Sequence, residues 1–479
     1  MSDSAGLSDQ QKGQVEALEA RWAERRGQGS VQGQESSALL RAPGPGTLLD
    51  LDVLLAGGGL SLLYAVALAE RGFRVAVADP SGVGKGHREW NASLPELRAL
   101  EQALGTSQLE ELIVARYQRG IIRWHGKPTR TVHGVLDAAI DAQGLLDKLR
   151  ARALALHVRL LDQQSVGAVA SGAHGVTAQV GAQQLTARLL LDGRGAASPH
   201  ARWDLVCPTV GGVLRGLAEG VDDDEVDPNV GEILVTVEGA HNGLQPIWEG
   251  FPGRSGEFTA YLFEYTEPRR LGPRPLTELF ERFFATLPRY KRGQAQLVRP
   301  AFGFIPAYTR LRPRPTAPVD RVLLVGDAAG RHSPLTFCGF GCALRSYGPV
   351  SARLAELLER DQLNRSSLAT AWRGESGSLS VQGALALMMI ERGGMRTAQD
   401  PQAINALLDA AFGALAAQGD EVFRGFLQDR ATPGQVWRML RETARALPQV
   451  YGLALRNLSS RELLAFGYRL AAFSLGASA

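Results

Sequence analysis

A short apolar stretch that runs into a loop rich in glycine and proline constrains the fold of this chain more than any other feature. Residues 321–325 read RVLLV, typical of a buried strand, and residues 326–343 read GDAAGRHSPLTFCGFGCA. A buried strand, a Gly-Asp turn and a loop that opens a helix are how α/β folds place a polar ligand at the carboxyl end of a strand. The stretch therefore predicts an α/β fold with a ligand site at this turn.

The residue types in this loop indicate a ligand with hydroxyl groups, a flat ring and negative charge. Asp327 offers a carboxylate to sugar-like hydroxyls, and Pro334 stiffens the loop. Gly339 and Gly341 lack a Cβ atom, so backbone N–H groups can approach a flat ligand, and the helix start behind them favours negative charge. FAD combines these three features. The alternative interpretation is a strand-turn-helix corner in which the glycines serve only tight packing.

A second strand-turn-helix unit lies near the N-terminus and carries part of a dinucleotide-binding fingerprint. Its turn is Gly57-Gly58-Gly59, and Asp79 ends the next apolar run, where such units bind a ribose hydroxyl. Leu62 stands where the fingerprint has its third glycine, so we expect a slightly displaced helix. The alternative is a Rossmann-like unit that binds NAD or no nucleotide.

Two further polar stretches are predicted to lie near the same ligand. An apolar run ends in the tight turn Asp192-Gly193-Arg194-Gly195, and Ser198 is placed to cap the segment after this turn. His87 and Arg88 stand on a loop from which they would reach phosphate, or on which they are merely solvated. The candidate cofactor-binding residues are Gly57, Gly58, Gly59, Asp79, Arg88, Asp192, Gly326, Asp327, Pro334, Gly339, Phe340 and Gly341.

Size, charge and cysteine content exclude several classes of protein. The 479 residues suffice for two or three domains, and 45% hydrophobic with 21% charged residues describe a globular chain. A formal net charge of +3 argues against a nucleic-acid partner. Cys207, Cys338 and Cys342 form neither a disulfide framework nor a metal-ligand pattern. Since we find no signal peptide and no apolar run of membrane length, we expect a cytoplasmic protein.

The pattern along the chain predicts an α/β fold class with three parts: a Rossmann-like FAD-binding domain, an inserted antiparallel-sheet substrate domain that includes a helix, and a helical C-terminal region. The polar N-terminus, with a helical stretch at 11–26, is interpreted as a flexible or peripheral extension. The predicted segments are 1–46 (extension), 47–202 (FAD-binding domain, first part), 203–315 (substrate domain), 316–355 (FAD-binding domain, second part) and 356–479 (helical region).

Together the three glycine turns resemble those of the flavoprotein monooxygenase superfold in order and spacing. Within that superfold, the chain resembles flavin-dependent lycopene cyclases of the bacterial and cyanobacterial type. The segments similar to this family are DGRG at 192–195, SPLTFCGFG at 333–341, REWN at 88–91, IWEGFP at 247–252 and AYLFEYTE at 260–267. The chain departs from the pattern at Leu62 and Cys338, where members tend to carry glycine.

The resemblance implies the non-redox cyclisation of a ψ-end of lycopene, or of a related acyclic carotenoid, to a β-ring. Such an enzyme is an isomerase, an intramolecular lyase that uses reduced FAD with NAD(P)H as reductant. The chemistry needs a strong acid in a dry pocket, electron-rich groups around a cation, and exclusion of water. Because lycopene is apolar, we expect peripheral contact with a membrane through apolar helix faces flanked by arginine in the C-terminal region.

Acidic and aromatic residues of two predicted strands are the catalytic candidates. Strand alternation places Leu262, Glu264 and Thr266 on one face, and Tyr261 and Glu267 on the other. The resemblance to an acidic motif of other cyclases favours Glu264 as the acid, and its face would then turn to the flavin. The alternative is a half-exposed strand with solvated glutamates. The full set of candidates is Glu264, Glu267, Glu249, Tyr265 and Trp248.

Two other functions remain open at this point. An FAD-dependent, NAD(P)H-using hydroxylase of an apolar substrate would consume O2 and NAD(P)H in step with product. A non-catalytic scaffold for flavin and carotenoid would bind pigment without turnover. Cyclisation, by contrast, would proceed with reduced flavin in the absence of O2.

Overall fold

The computed structural model describes residues 6–27, 40–86, 88–104, 109–201, 203–311, 316–336, 338–372, 378–390, 392 and 399–476. These residues form an α/β unit with a largely parallel sheet, a second, large mixed sheet and a helical C-terminal region. The predicted fold class is thereby confirmed. Within the described residues, none of the helices is both long enough and apolar enough to cross a bilayer.

The elements alternate between strands and helices in the first two thirds of the chain and are helical thereafter. The strands are β1 (Leu51–Ala56), β2 (Val75–Asp79), β3 (Trp90–Ala92), β4 (Ile113–Arg116), β5 (Arg119–Arg123), β6 (Arg130–Val132), β7 (Ala138–Ile140), β8 (Arg159–Asp162), β9 (Val166–Gly172), β10 (Gly175–Val180), β11 (Gln183–Asp192), β12 (Leu205–Leu217), β13 (Val230–Val235), β14 (Ile247–Pro252), β15 (Phe258–Phe263), β16 (Gly293–Ala307) and β17 (Val322–Leu324). The helices are α1 (Asp9–Gly27), α2 (Leu62–Ala69), α3 (Leu94–Leu97), α4 (Ala99–Leu104), α5 (Leu109–Leu112), α6 (Ala142–Ala155), α7 (Pro275–Tyr290), α8 (Gly326–Ala329), α9 (Gly339–Glu359), α10 (Arg365–Ala369), α11 (Ser378–Met388), α12 (Ala403–Ala416), α13 (Asp420–Leu427), α14 (Pro433–Ala446), α15 (Val450–Asn457) and α16 (Ser460–Ser474).

The first sheet brings the three glycine turns to one edge. Its parallel strands β8, β2, β1, β11 and β17 pair in that order, and β10 and β9 extend from β11 as antiparallel neighbours. Their apolar runs are buried, as parallel strands covered on both faces require. Ala56 pairs with Asp192, and Asp192 pairs with Leu324. The turns after β1, β11 and β17 therefore begin side by side.

The second sheet runs in the order β16-β12-β15-β14-β13-β5-β6. Its pairs are antiparallel, except that β13 runs parallel to β5. The strands β5 and β6 precede the segment 203–315, in which the sequence placed this sheet. Local patterning reveals a strand but not its distant partner, so the sequence could not show that β5 pairs with β13.

The two faces of the second sheet have different neighbours. Trp248 of β14 and Leu262 of β15 are cross-strand partners, and both lie in an apolar cluster with Phe283 of α7. The adjacent pair, Glu249 and Tyr261, points to the opposite face because side chains alternate along a strand. That opposite face looks toward the first sheet and the C-terminal helices.

Helix α1 is confirmed where the sequence predicted a helix, but it is docked and not a flexible extension. Trp22 is buried and stacks on Phe304 of β16, with ring centroids 4.4 Å apart. The Glu19 Oε1 accepts hydrogen bonds from the backbone N–H groups of Leu276 and Thr277, at 2.7 and 2.9 Å, and so caps the start of α7. Only a few residues of α1 make these contacts, and they do not stand out in a segment whose composition is mostly polar.

The C-terminal helices cover the remaining part of the second sheet. Phe412 of α12 lies 5.4 Å from Trp124, centroid to centroid, in the cluster that also contains Phe263 of β15. Apolar side chains of α11 to α14 fill the same cluster. The helical region is thus part of the core behind the second sheet.

Candidate active site

The turns after β1 and β11 pack directly against each other. Gly57 has a φ of 101°, and a Cβ atom there would stand 2.8 Å from the carbonyl oxygen of Gly193. Only glycine meets both conditions. A Cβ atom on Gly59 would meet no other atom within 4 Å. Gly57 and Gly58 therefore shape the turn, while Gly59 leaves open space at the wall of a cavity.

Asp79 lies at the end of β2, beside this turn, where the sequence predicted it. Its Oδ2 accepts a hydrogen bond from the N–H of Gly58 at 2.7 Å, and its Oδ1 accepts one from Ser81 at 2.8 Å. The side chain also lines the cavity. A carboxylate has further lone pairs, so it can hold the turn and still accept from the hydroxyls of a ligand.

Asp192, in contrast, does not line the cavity. The prediction that it contacts a cofactor is therefore wrong. It is fully buried, and its oxygens accept hydrogen bonds from Arg194 at 3.0 and 2.8 Å and from Ser198 at 2.7 Å. Burial alone would raise the pKa of Asp192, but these bonds outweigh burial and its pKa is lowered. Asp192 fixes the turn, and Arg194 and Gly195 line the cavity in its place.

The turn after β17 places Asp327 at the cavity wall. Gly326 has a φ of 57°, which glycine adopts readily. Arg88 Nη1 lies 3.5 Å from Asp327 Oδ2, and His332 Nδ1 lies 4.0 Å from Asp327 Oδ1. Burial lowers the pKa of His332, although Asp327 opposes this. The positive charge beside Asp327 at neutral pH is therefore that of Arg88, whereas His87 lies outside the described residues.

The loop between α8 and α9 is held by its own hydrogen bonds and by the C-terminal region. Ser333 Oγ accepts from the backbone N–H groups of Leu335 and Thr336, at 3.0 Å each, and is hydrogen-bonded to Gln382 of α11. Pro334 is buried within this turn, where it shapes the loop and does not line the cavity. The predicted loop residues that do line the cavity are Gly326, Asp327, Gly339, Phe340 and Gly341.

A cavity of about 710 Å³ joins the three turns to the second sheet. The glycine turns and the start of α9 bound one side, and side chains of β14, β15, β16 and α1 bound the other. Mostly apolar walls with a few convergent polar groups are typical of a small-molecule site. The other wall residues include Leu18, Trp22, Lys85, Trp90, Asn91, Cys207, Ile233, Glu249, Tyr261, Phe263, Phe302, Phe304 and Ile305.

Glu249 is the carboxyl group that β14 presents to this cavity. Its Oε1 accepts a hydrogen bond from Asn91 Nδ2 at 2.9 Å, and Tyr261 is its cross-strand neighbour. Burial raises the pKa of Glu249 from 4.5 to about 7, and the bond from Asn91 offsets only part of this rise. At neutral pH about half of the molecules therefore carry a proton here, as a general acid or base requires.

Glu264 and Trp248 lie on the opposite face of the same two strands, so the expectation that Glu264 turns to the cavity is wrong. Trp248 stacks on Tyr290 of α7, with ring centroids 4.4 Å apart. Glu264 Oε1 lies 3.4 Å from Arg282 Nη1 of α7, and burial raises its pKa to about 7 as well. Alternation could not choose a face, because every residue of β15 is buried.

Glu267 and Tyr265 lie beyond the end of β15 and also do not line the cavity. Glu267 forms ion pairs with Arg392, at 3.4 Å, and with Arg269, at 3.0 Å. The Tyr265 hydroxyl donates to the carbonyl oxygen of Leu335. Both residues tie the second sheet to neighbouring loops.

Several residues of the cavity wall were not among the site residues predicted from the sequence. Trp90 stacks on Phe340, with centroids 5.0 Å and planes 9° apart, and Asn91 bonds to Glu249. Their signal is the REWN stretch, which by itself indicates only a loop near phosphate and a segment shared with a family. The Tyr261 hydroxyl accepts from the N–H of Glu89 at 2.9 Å. No sequence signal marked Trp22 as a wall residue.

Comparison with known proteins supports the fold but no family. No protein family and no curated protein sequence matches the chain. Among solved structures, the halogenase PltM has a TM-score of 0.58 at 12% identity, over 88% of this chain and 96% of that chain. A geranylgeranyl bacteriochlorophyll reductase-like protein from Thermoplasma acidophilum has a TM-score of 0.52 at 16% identity, over 84% and 98%. CmlS, a flavin-dependent halogenase, has a TM-score of 0.54 at 14% identity, over 89% and 78%. These likenesses support the predicted fold, whereas the lycopene cyclase family is not confirmed.

Proposed function

We propose that the cavity binds FAD and that the chain uses it to cyclise an end of an acyclic carotenoid, either lycopene or a relative. The residues fit the cofactor: open space lies before Gly59, and Asp79 and Asp327 offer carboxylates to hydroxyl groups. The start of α9 at Gly339 favours negative charge. The structural neighbour PltM has been solved in complex with phloroglucinol and FAD. When bound and reduced by NAD(P)H, FAD would supply negative charge beside a cationic substrate.

The single observation that carries the proposed reaction is the environment of Glu249. It is a carboxyl group on the wall of a largely apolar cavity, with a pKa raised to about 7. Asn91 fixes the carboxyl group from the side by a 2.9 Å hydrogen bond. A carboxyl group that is about half protonated at neutral pH, in a site lined by aromatic rings, can serve as the general acid toward an isolated C=C bond.

Glu249 would act as acid and then as base. Its carboxyl group donates a proton to the terminal C=C bond of the substrate, and a tertiary carbocation forms. The neighbouring C=C bond attacks this cation and closes the ring. The Glu249 carboxylate then takes back a ring proton, which leaves a new C=C bond. One proton is given and one is taken and no electrons are transferred, so the product is an isomer of the substrate.

Aromatic rings near Glu249 would stabilise the cation and keep water away. Tyr261 lies directly across from Glu249, Phe263 follows on the same face of β15, and both line the cavity. An aromatic face stabilises a desolvated cation by roughly 0.5–2 kcal/mol. The apolar wall matters as much, since water that reached the cation would convert it to an alcohol.

A second candidate is an oxygen-dependent flavin enzyme that acts on an apolar or aromatic substrate. The observation in its favour is the shared fold with two halogenases, one of which was solved with an aromatic compound and FAD. This reaction would change the composition of the substrate, whereas cyclisation would not.

The two candidates are separated by expression of the chain in cells that accumulate lycopene. Our proposal expects a new pigment of the same mass as lycopene with one or two cyclic ends, and purified protein that carries FAD and works without O2. A pigment of higher mass, formed only with O2, would favour the second candidate. Unchanged lycopene that copurifies with flavin-loaded protein would indicate a non-catalytic scaffold and refute both.

A further inference from the structure

Helix α16 exposes an apolar face to solvent as well as burying one. The exposed apolar side chains here are Leu464 and Tyr468 of α16 and Leu475, the residue directly after its end, which are 75%, 70% and 84% exposed. Their spacing of four and seven residues puts them on one face of the helix. Leu470 and Ala472 face inward and are buried. A surface helix normally turns charged residues to water. The exposed apolar side chains on this face therefore indicate that another surface covers them.

Large apolar side chains are also exposed on the two preceding helices, α14 and α15. Trp437 of α14 is 51% exposed, and its indole Nε1 donates to Ser474 Oγ at 2.9 Å. This bond fixes the tryptophan next to Leu475. Two more large apolar side chains, Tyr451 and Leu455 of α15, are exposed as well. We call the six side chains Trp437, Tyr451, Leu455, Leu464, Tyr468 and Leu475 the C-terminal surface.

The charge around the C-terminal surface is positive. Residues 433–474 contain six arginines and two glutamates. Glu462 is buried against Arg392, and Glu442 lies between Arg441 and Arg445, at 3.2 and 2.8 Å. The exposed arginines beside the apolar side chains are Arg438, Arg441, Arg445, Arg456 and Arg461.

We propose that the C-terminal surface docks on an anionic lipid bilayer. Tryptophan and tyrosine are enriched where a bilayer meets water, and leucine enters the acyl boundary. Arginine beside them is attracted to anionic headgroups. A second copy of the chain is the less suitable partner, because a two-fold contact would set arginine against arginine. The proposal depends on the surface alone and holds for any reaction in the cavity.

Vesicle flotation of the full chain tests the proposal. The vesicles contain either phosphatidylcholine alone or equal parts of phosphatidylcholine and phosphatidylglycerol. The chain should float with the anionic vesicles, and added salt should weaken this binding. The triple variant Leu464→Gln/Tyr468→Gln/Leu475→Gln should bind at least about tenfold more weakly, since three exposed apolar groups no longer enter the bilayer. The variant Arg438→Gln/Arg461→Gln should bind the anionic vesicles about 30-fold more weakly.

Leu154→Gln is the matched control, because Leu154 is an exposed leucine on α6, outside the C-terminal surface. It should float like the parent chain. The proposal is overturned if the parent chain does not bind anionic vesicles, or if the triple variant binds as well as the parent. A parent dimer that the triple variant dissociates, without vesicle binding, would show that a second copy covers the surface. The assay contains no carotenoid, so its failure leaves the proposed reaction untouched.

Discussion

Replacing Glu249 by glutamine removes the ionisable proton at the cavity wall and preserves the shape of the side chain. We expect the Glu249→Gln variant to lose at least about 10²-fold in cyclisation rate, the low end for general acid catalysis, while FAD content stays unchanged. The hydrogen bond from Asn91 Nδ2 can still be accepted by the amide oxygen, so the cavity wall should keep its structure.

The pH dependence of the rate follows from the pKa of Glu249. With the usual pKa of 4.5, about 0.3% of the carboxyl groups would be protonated at pH 7, whereas with a pKa of about 7 about half are. Burial thus increases the amount of active acid at pH 7 by roughly 150-fold. The acid works only when protonated, so the rate should fall about tenfold per pH unit above pH 7 and level off below it.

The same pKa has a consequence for stability that does not depend on activity. Between pH 4.5 and about 7 the folded chain binds more protons at Glu249 than the unfolded chain does, so rising pH through this window destabilises the fold. The Glu249→Gln variant should lack this contribution, and its melting temperature should fall less over that range. Thermal unfolding at several pH values measures the difference.

Glu264→Gln is the matched control for the cyclisation rate and for its pH dependence. Burial raises the pKa of Glu264 to about 7 too, yet its carboxyl group faces Arg282 of α7 and not the cavity. We therefore expect nearly full activity from Glu264→Gln and an unchanged pH–rate profile. The reasoning is refuted if Glu264→Gln is inactive beside an active Glu249→Gln, or if the rate of the parent chain does not decline above pH 7.

Three further substitutions test the rest of the site. Asp327→Ala should weaken FAD binding by about 10–100-fold, visible as lost flavin absorbance in the purified protein, and full retention would contradict the proposed cofactor site. Asp192→Asn should lower the free energy of unfolding in urea by about 3 kcal/mol, because Arg194 is left without its buried counter-charge; an unchanged urea midpoint would speak against that role. Glu19→Ala should speed hydrogen exchange in α1 by about 5–30-fold through loss of the cap on α7, whereas Glu16→Ala, at an exposed position of α1, should not.

Much of the first sheet could be predicted from sequence because its information is local. A buried strand followed by a glycine turn is recognisable within a few residues, and the predicted turns at Gly57, Asp192 and Gly326 do meet at one edge. What those residues do there was harder to see. Asp192 has the same type of side chain as Asp79 and a similar position after a strand, but the Arg194 that follows it turns its carboxylate inward.

The second sheet was less predictable because its information is not local. Period-two alternation separated Glu264 from Tyr261 correctly but could not say which face meets the cavity, since α7 buries one face as fully as the cavity and the C-terminal helices bury the other. Only the pairing of β14 with β15 shows that Glu249 and Tyr261 share a face toward the glycine turns. Glu19 caps α7 from 257 positions away, and no local sequence pattern could have predicted this contact.

That long connection also sets the order in which the molecule can be completed during synthesis. Helix α1 leaves the ribosome before the other described elements, but the residues that receive Glu19 follow 257 positions later, which is roughly 10–50 s of translation at about 5–20 residues per second. Of the two rings on which Trp22 stacks, Trp203 is made before these residues and Phe304 only after them. Helix α1 is therefore made before the elements on which it docks and must wait for them, and the nascent protein cannot enclose a ligand before β16 has emerged.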